Sequence, residues 1–158
     1  MAAGDWGLLV CRQEPSAGAV TLPGVLLLNI HHTAVAVKDL GVALERFREH
    51  YGVEPLYREV VESQGVEEAM IPVGGSHLQL LQPLDGDTAV GRFIERNGEG
   101  LHHIAFQVAD IEAALAHLVE QGARVVDMEP RIGGGGHMVA FVHPKAFAGT
   151  LIELVEVS

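Results

Sequence analysis

The chain has 158 residues, 48 % of them hydrophobic, which is enough to bury one core and too apolar for wholesale disorder. Ten lysines and arginines against 21 aspartates and glutamates leave a formal charge of −11, which excludes a general affinity for nucleic acid, because phosphate contacts need a basic footprint. The single cysteine, Cys11, excludes an internal disulfide and a cysteine-based zinc site and fits a reducing, cytoplasmic setting; no apolar run approaches the roughly 18 residues of a membrane span.

Residues 1–24 are rich in glycine, alanine and proline, have no basic start, and are expected to be a poorly ordered extension. Residues 25–158 are expected to form one domain. A β-rich run predicts a first strand over about 26–37. Asp39 is placed as N-cap of an amphipathic helix over 40–51, with Gly52 where a helix end favours positive φ. Strands follow over about 54–62, 66–73 and 76–82, then a short helix over about 88–96. The pattern then restarts. A strand over 101–108 leads to Asp110, a helix over 111–121 and Gly122, and strands are expected over 124–128, 137–142 and 150–157.

The restart is a sequence repeat. Asn29–Leu44 (NIHHTAVAVKDLGVAL) aligns with Gly100–Leu115 (GLHHIAFQVADIEAAL) without a gap at an offset of 71, with His31/His102, His32/His103 and Asp39/Asp110 among the identical pairs. Leu78–Leu81 (LQLL) answers Ile152–Val155 (IELV) at an offset of 74. Two copies of one βαβββ unit follow, module 1 over about 26–84 and module 2 over about 100–157, an α+β plan with helices on one face of mixed sheets.

Strand alternation assigns faces. Thr33, Val35 and Val37, and in the repeat Ile104, Phe106 and Val108, should pack under the helices. His32, Ala34 and Ala36, with His103, Ala105 and Gln107, then share the open side. His31 and His102 should point to the helix layer or its margin. Gln79 and Glu153 lie within apolar strands, where a polar group costs free energy unless it is paired or binds something. The repeat therefore converges His32, Gln79, His103 and Glu153 on one concave side. Two imidazoles and two oxygen donors, with no thiolate, suit a divalent metal: Co²⁺, Mn²⁺, Ni²⁺ or Zn²⁺. Arg131, Lys145 and the Gly133–Gly136 run read equally as a set that meets phosphates or a carboxylate and as a turn with solvated cations. The glycine run lacks the strand and helix that frame a nucleotide fingerprint.

The stretches IHHTAVAVKDL (30–40), QGVEEAMIPVGG (64–75), HLQLLQP (77–83), GRFIERNGEGLHHIAF (91–106) and MVAFVHPKAFAGTLIELVE (138–156) resemble the vicinal-oxygen-chelate superfamily and, within it, the methylmalonyl-CoA epimerases. The resemblance spans about residues 26–157. It implies a cleft built from paired βαβββ modules, a homodimer, methylmalonyl-CoA as substrate, and a divalent metal with Co²⁺ ahead of Mn²⁺, Ni²⁺ or Zn²⁺. It places the metal ligands on His32, Gln79, His103 and Glu153, and the catalytic carboxylates on Glu68 and Glu153. It implies C2 proton abstraction through a metal-stabilised enolate, with Lys145 and Arg131 as candidates for binding substrate. Two departures stand out. The Met70–His77 loop is short, and His31 replaces the usual Asp before the first ligand. Glu67 and Glu68 fall on opposite faces, and alternation alone does not choose between them. Other readings within the superfamily are a glyoxalase-type or related acyl-CoA isomerase, or a non-catalytic protein that binds small molecules.

Overall fold

The computed structural model describes residues 27–158; the expected extension over 1–24 and Cys11 lie outside them. Strand β1 (Leu27–Ala36) leads into helix α1 (Leu40–Tyr51), and β2 (Tyr57–Val61), β3 (Val66–Val73) and β4 (Ser76–Pro83) complete the first half. Helix α2 (Ala89–Asn97), capped by Thr88, bridges to β5 (Gly100–Val108), α3 (Ile111–Glu120), β6 (Arg131–Ile132), β7 (Met138–Val142) and β8 (Ile152–Glu156). The expected caps form. Asp39 Oδ1 accepts the Val42 N–H at 2.9 Å, and Asp110 Oδ1 accepts the Ala113 N–H at 2.8 Å. Each satisfies a donor that a helix start leaves free, worth about 1 kcal/mol.

The eight strands form one sheet in the order β2-β3-β4-β1-β5-β8-β7-β6. β1 runs parallel to β4, β5 runs parallel to β8, and the antiparallel β1–β5 pair joins the halves. One face packs against α1 through Val37, Leu40, Ile71 and Leu80 with Leu44 and Phe47, and against α3 through Val108, Leu115, Val142 and Leu154. On the other face, small residues make room: Ala34 and Ala36 in one half, Ala105 in the other, with Val90 of α2 closing one end. The sheet curls until its two edges meet, where the Gly135 N–H, beyond β6, donates to Glu59 Oε1 of β2 at 2.7 Å.

Three expectations change. The strand over 124–128 is absent except for a Val125–Val142 bridge. The Val126 and Asp127 N–H groups both reach the Phe141 carbonyl, at 2.8 and 3.2 Å, and the Asp127 carboxylate accepts the Phe141 N–H at 2.9 Å. A side chain replaces the ladder partner and ends the pairing. The strand expected from residue 54 starts at Tyr57, because Pro55 brings no N–H to the ladder. Finally, the β1–β5 register slips at three places, of which two are symmetric: Ile30↔Phe106 is followed by His32↔Ala105, and Ala34↔His103 by Val35↔Leu101. His31 and His102 are the extra residues of these two bulges. A bulge breaks the alternation of side chains, so neither histidine points to the helix layer; each turns its ring beside that of the next histidine. Among the described residues, no helix is long and apolar enough to cross a membrane.

Candidate active site

His32 and His103 project from the two central strands, and their Nε2 atoms are 3.2 Å apart. Glu153 comes from β8, where it faces Ala105 of β5; its Oε2 is 3.1 Å from His32 Nε2 and 3.4 Å from His103 Nε2. Ligand atoms of these three residues all lie within 4.8 Å of one another. Gln79 holds the equivalent place in the first half, on β4 opposite Ala34 of β1. Its Nε2 donates to Glu68 Oε2 at 2.9 Å, and its Oε1 is buried with no partner. With Glu68, these residues are the buried polar side chains among the described residues, none more than 6 % exposed.

This donor set fits a divalent metal. Burial pulls the His103 pKa down, which favours the neutral imidazole that coordination needs; its hydrogen bond to Glu153 and the charge of that carboxylate oppose the shift without reversing it. Burial also works to raise the Glu153 pKa, but the hydrogen bonds from His103 and His32 prevail and hold it at about 2, so the carboxylate stays ionised. The Gln79 oxygen, buried without a hydrogen-bond partner, is an acceptor that a cation would satisfy. The bulges supply the backing. His31 Nδ1 lies 2.8 Å from His32 Nδ1, and His102 Nδ1 lies 2.9 Å from His103 Nδ1. Burial and then the neighbouring imidazoles hold His31 at about 4, and burial followed by His103 holds His102 at about 4. Both are therefore neutral and able to accept an Nδ1–H from His32 or His103, the tautomer in which Nε2 would be free to hold a metal in place of donating to Glu153.

The sequence matches the Glyoxalase/Bleomycin resistance protein/Dioxygenase superfamily over residues 31–141. An ethylmalonyl-CoA/methylmalonyl-CoA epimerase of Cereibacter sphaeroides is 39 % identical over 131 residues, 82 % of this chain and 98 % of that one. The chain belongs to the methylmalonyl-CoA epimerase family of this superfamily. The fold agrees. A Streptomyces coelicolor methylmalonyl-CoA epimerase in complex with 2-nitronate-propionyl-CoA superposes with a TM-score of 0.82 at 44 % identity, covering 84 % of this chain and 96 % of that one. A methylmalonyl-CoA epimerase in complex with methylmalonyl-CoA and NH4+ gives a TM-score of 0.81 at 44 % identity, with the same coverage.

The two carboxylates that strand alternation alone did not choose between separate cleanly. Glu67 turns outward and pairs with Arg58 at 2.6 Å. Glu68 is 0 % exposed, on the same face as Gln79, and its Oε1 has no partner. Burial first, then the charges of Glu59 and Glu153, push Glu68 up to about 7 from the usual carboxylate range. A folded-state pKa above the unfolded one means stability that is full below about 4.5 and lost as pH rises through about 7. Metal-free Glu68→Gln should therefore match the wild type in denaturant stability at pH 4.5 and exceed it at pH 8 by about 3 kcal/mol.

Gly134 fits against Glu68 so closely that an added Cβ would lie 2.2 Å from Oε1. Gly134→Ala should destabilise the protein by about 1–3 kcal/mol, read as a lower melting temperature. The same change in a Glu68→Ala background should cost much less, because the clash is with that carboxylate. The glycine run is thus part of the site wall, which local sequence could not show.

Arg131 stacks its guanidinium over Phe141, 5.5 Å from the ring centroid, with the Asp127 carboxylate 3.7 Å away. It lines a cavity of about 460 Å³ that reaches His102 and His103. Arg92, Phe93, Arg96 and Asn97 of α2 line the same cavity. Sequence reasoning missed them, although their i, i+4 spacing places them on one helix face. Lys145 stays at the surface, on the turn Pro144–Ala146, and is not brought to the histidines; Pro144 lines a neighbouring cavity that reaches His102 and His103. Tyr57, Gln64 and His137, also missed, join Gln79 and Glu153 around a cavity of about 10 Å³.

Proposed function

We propose that the chain is a metal-dependent methylmalonyl-CoA epimerase that inverts C2 by removing a proton from one face and returning one to the other. The observation that carries this reading is the buried Glu68 carboxylate, held at about 7 and hydrogen-bonded to a member of the donor cluster. A base near neutrality suits a proton between a thioester and a carboxylate. The Gln79 N–H fixes Glu68 Oε2 and leaves Oε1 as the atom that takes the proton. His32, Gln79, His103 and Glu153 would hold a divalent metal, whose charge would neutralise the oxygens as the proton leaves. Donors without a thiolate suit Co²⁺, Mn²⁺, Ni²⁺ or Zn²⁺, and Co²⁺ is the ion to load first. We assign the opposite face of C2 to Glu153, which projects from the second half. Against burial, the histidines beside Glu153 lower its pKa, while burial raises that of Glu68, so the two directions of epimerisation should not depend equally on the two carboxylates.

The cavity lined by Arg92, Arg96 and Arg131 offers three guanidinium groups to an otherwise acidic chain, a local match for the phosphates of a CoA thioester. Exposed Leu27, Leu28, Ile30 and Leu101 on the β1–β5 pair support a homodimer. The reading is tested by stripping the protein of metal, reloading it with Co²⁺ and following conversion of one methylmalonyl-CoA epimer into the other. Conversion that appears with the metal supports it. Metal-loaded protein that leaves the spontaneous rate unchanged overturns it.

A further inference from the structure

Glu68 is sealed. It has no exposed surface, and the cavity lined by Gln79 and Gly134, both of which touch it, holds about 10 Å³, at the lower limit for a single water. No acyl group can reach Oε1 while this wall stands. Part of the wall is the Gly133–Gly136 segment. Added Cβ atoms at Gly133 and Gly134 would strike Val139 at 2.8 Å and Glu68 Oε1 at 2.2 Å, so the backbone itself is packed onto the site. Gly135 and Gly136 have φ of 63° and 75°, a conformation that glycine enters and leaves without the penalty other residues meet. The segment is tied down at one point across the curl of the sheet, where the Gly135 N–H donates to the Glu59 carboxylate at 2.7 Å. Glu59 lies on β2 directly opposite Glu68 of β3, half-buried at the rim.

We propose that Gly133–Gly136 is a movable cover over Glu68 and that Glu59 is the positioning residue that latches it closed. Substrate enters when the Glu59–Gly135 bond opens, and Glu68 meets C2 in a dry site when the bond re-forms. The kinetic half rests on the epimerase reading; the latch itself does not.

The test uses the full chain with Glu59→Ala, which removes the acceptor, and Glu59→Gln, which keeps an acceptor oxygen. Amide hydrogen exchange of the peptide spanning 133–136 reads the latch without any substrate. Exchange there should accelerate by about tenfold in Glu59→Ala, while Glu59→Gln lies between Glu59→Ala and the wild type. With methylmalonyl-CoA, Glu59→Ala should lose about tenfold in kcat with KM unchanged or lower, and Glu59→Gln should recover most of it. Unchanged exchange at 133–136 in Glu59→Ala overturns the latch. Faster exchange with unaltered kcat and KM overturns its role in turnover. If the wild type shows no epimerase activity, that reading fails separately, and the exchange result still decides whether Glu59 holds the segment. Should Glu59→Ala not fold, exchange in Glu59→Gln decides in the same way: faster than wild type upholds the latch, and equal to wild type overturns it.

Discussion

Glu68→Gln should lower kcat for C2 inversion by about a thousandfold, within the range a positioned acid–base group contributes, while metal content stays at the wild-type level. The reasons are geometric. Glutamine keeps the shape and an oxygen to accept the Gln79 N–H, so the 2.9 Å contact can persist, but no basic atom remains at Oε1. The wall around the side chain is unchanged, since Gly134 already fits a group of this size. Steady-state kinetics with metal analysis on the same preparation checks both halves. Full activity would remove Glu68 from the mechanism. Loss of metal with activity would mean that Glu68 acts by shaping the donor cluster.

The second large effect separates a ligand from its support. His103→Ala removes a nitrogen 3.4 Å from Glu153 Oε2 and 3.2 Å from His32 Nε2, and should weaken Co²⁺ binding by more than about a hundredfold, with activity lost in parallel. His31→Ala removes the imidazole that lies 2.8 Å behind His32 Nδ1, together with its packing on His77 and His137, and should weaken the metal by about 10- to 100-fold. His31→Asp restores an acceptor of the kind the resembling family places there and should recover much of that loss. Titration of Co²⁺ against a competing chelator measures all three. Equal losses in His103→Ala and His31→Ala would contradict the assignment of ligand and support.

The repeat made much of this site legible. A gapless offset paired His32 with His103, and the LQLL/IELV echo paired Gln79 with Glu153, because duplicated units place equivalent residues symmetrically about the central strands. The bulges were hidden by the same pattern. Alternation assigns His31 and His102 to the far face, and a one-residue slip between two strands leaves no mark in either sequence alone. The strand expected at 124–128 failed because Asp127 bonds a backbone N–H fourteen residues away, a competition that no local window contains. The glycine run read as a turn because its role depends on Glu68 and Glu59, both more than sixty positions earlier in the chain and met only when the sheet curls.

The most direct measurement of the central claim is isotope entry at C2. Metal-loaded wild type and Glu68→Gln are incubated with one epimer of methylmalonyl-CoA in D2O, and deuterium at C2 is followed beside the appearance of the other epimer. The account predicts label arriving with inversion in the wild type, only when metal is present, and only the spontaneous rate in Glu68→Gln. Metal-loaded wild type that labels no faster than solvent alone, or Glu68→Gln that labels as fast as the wild type, would contradict it.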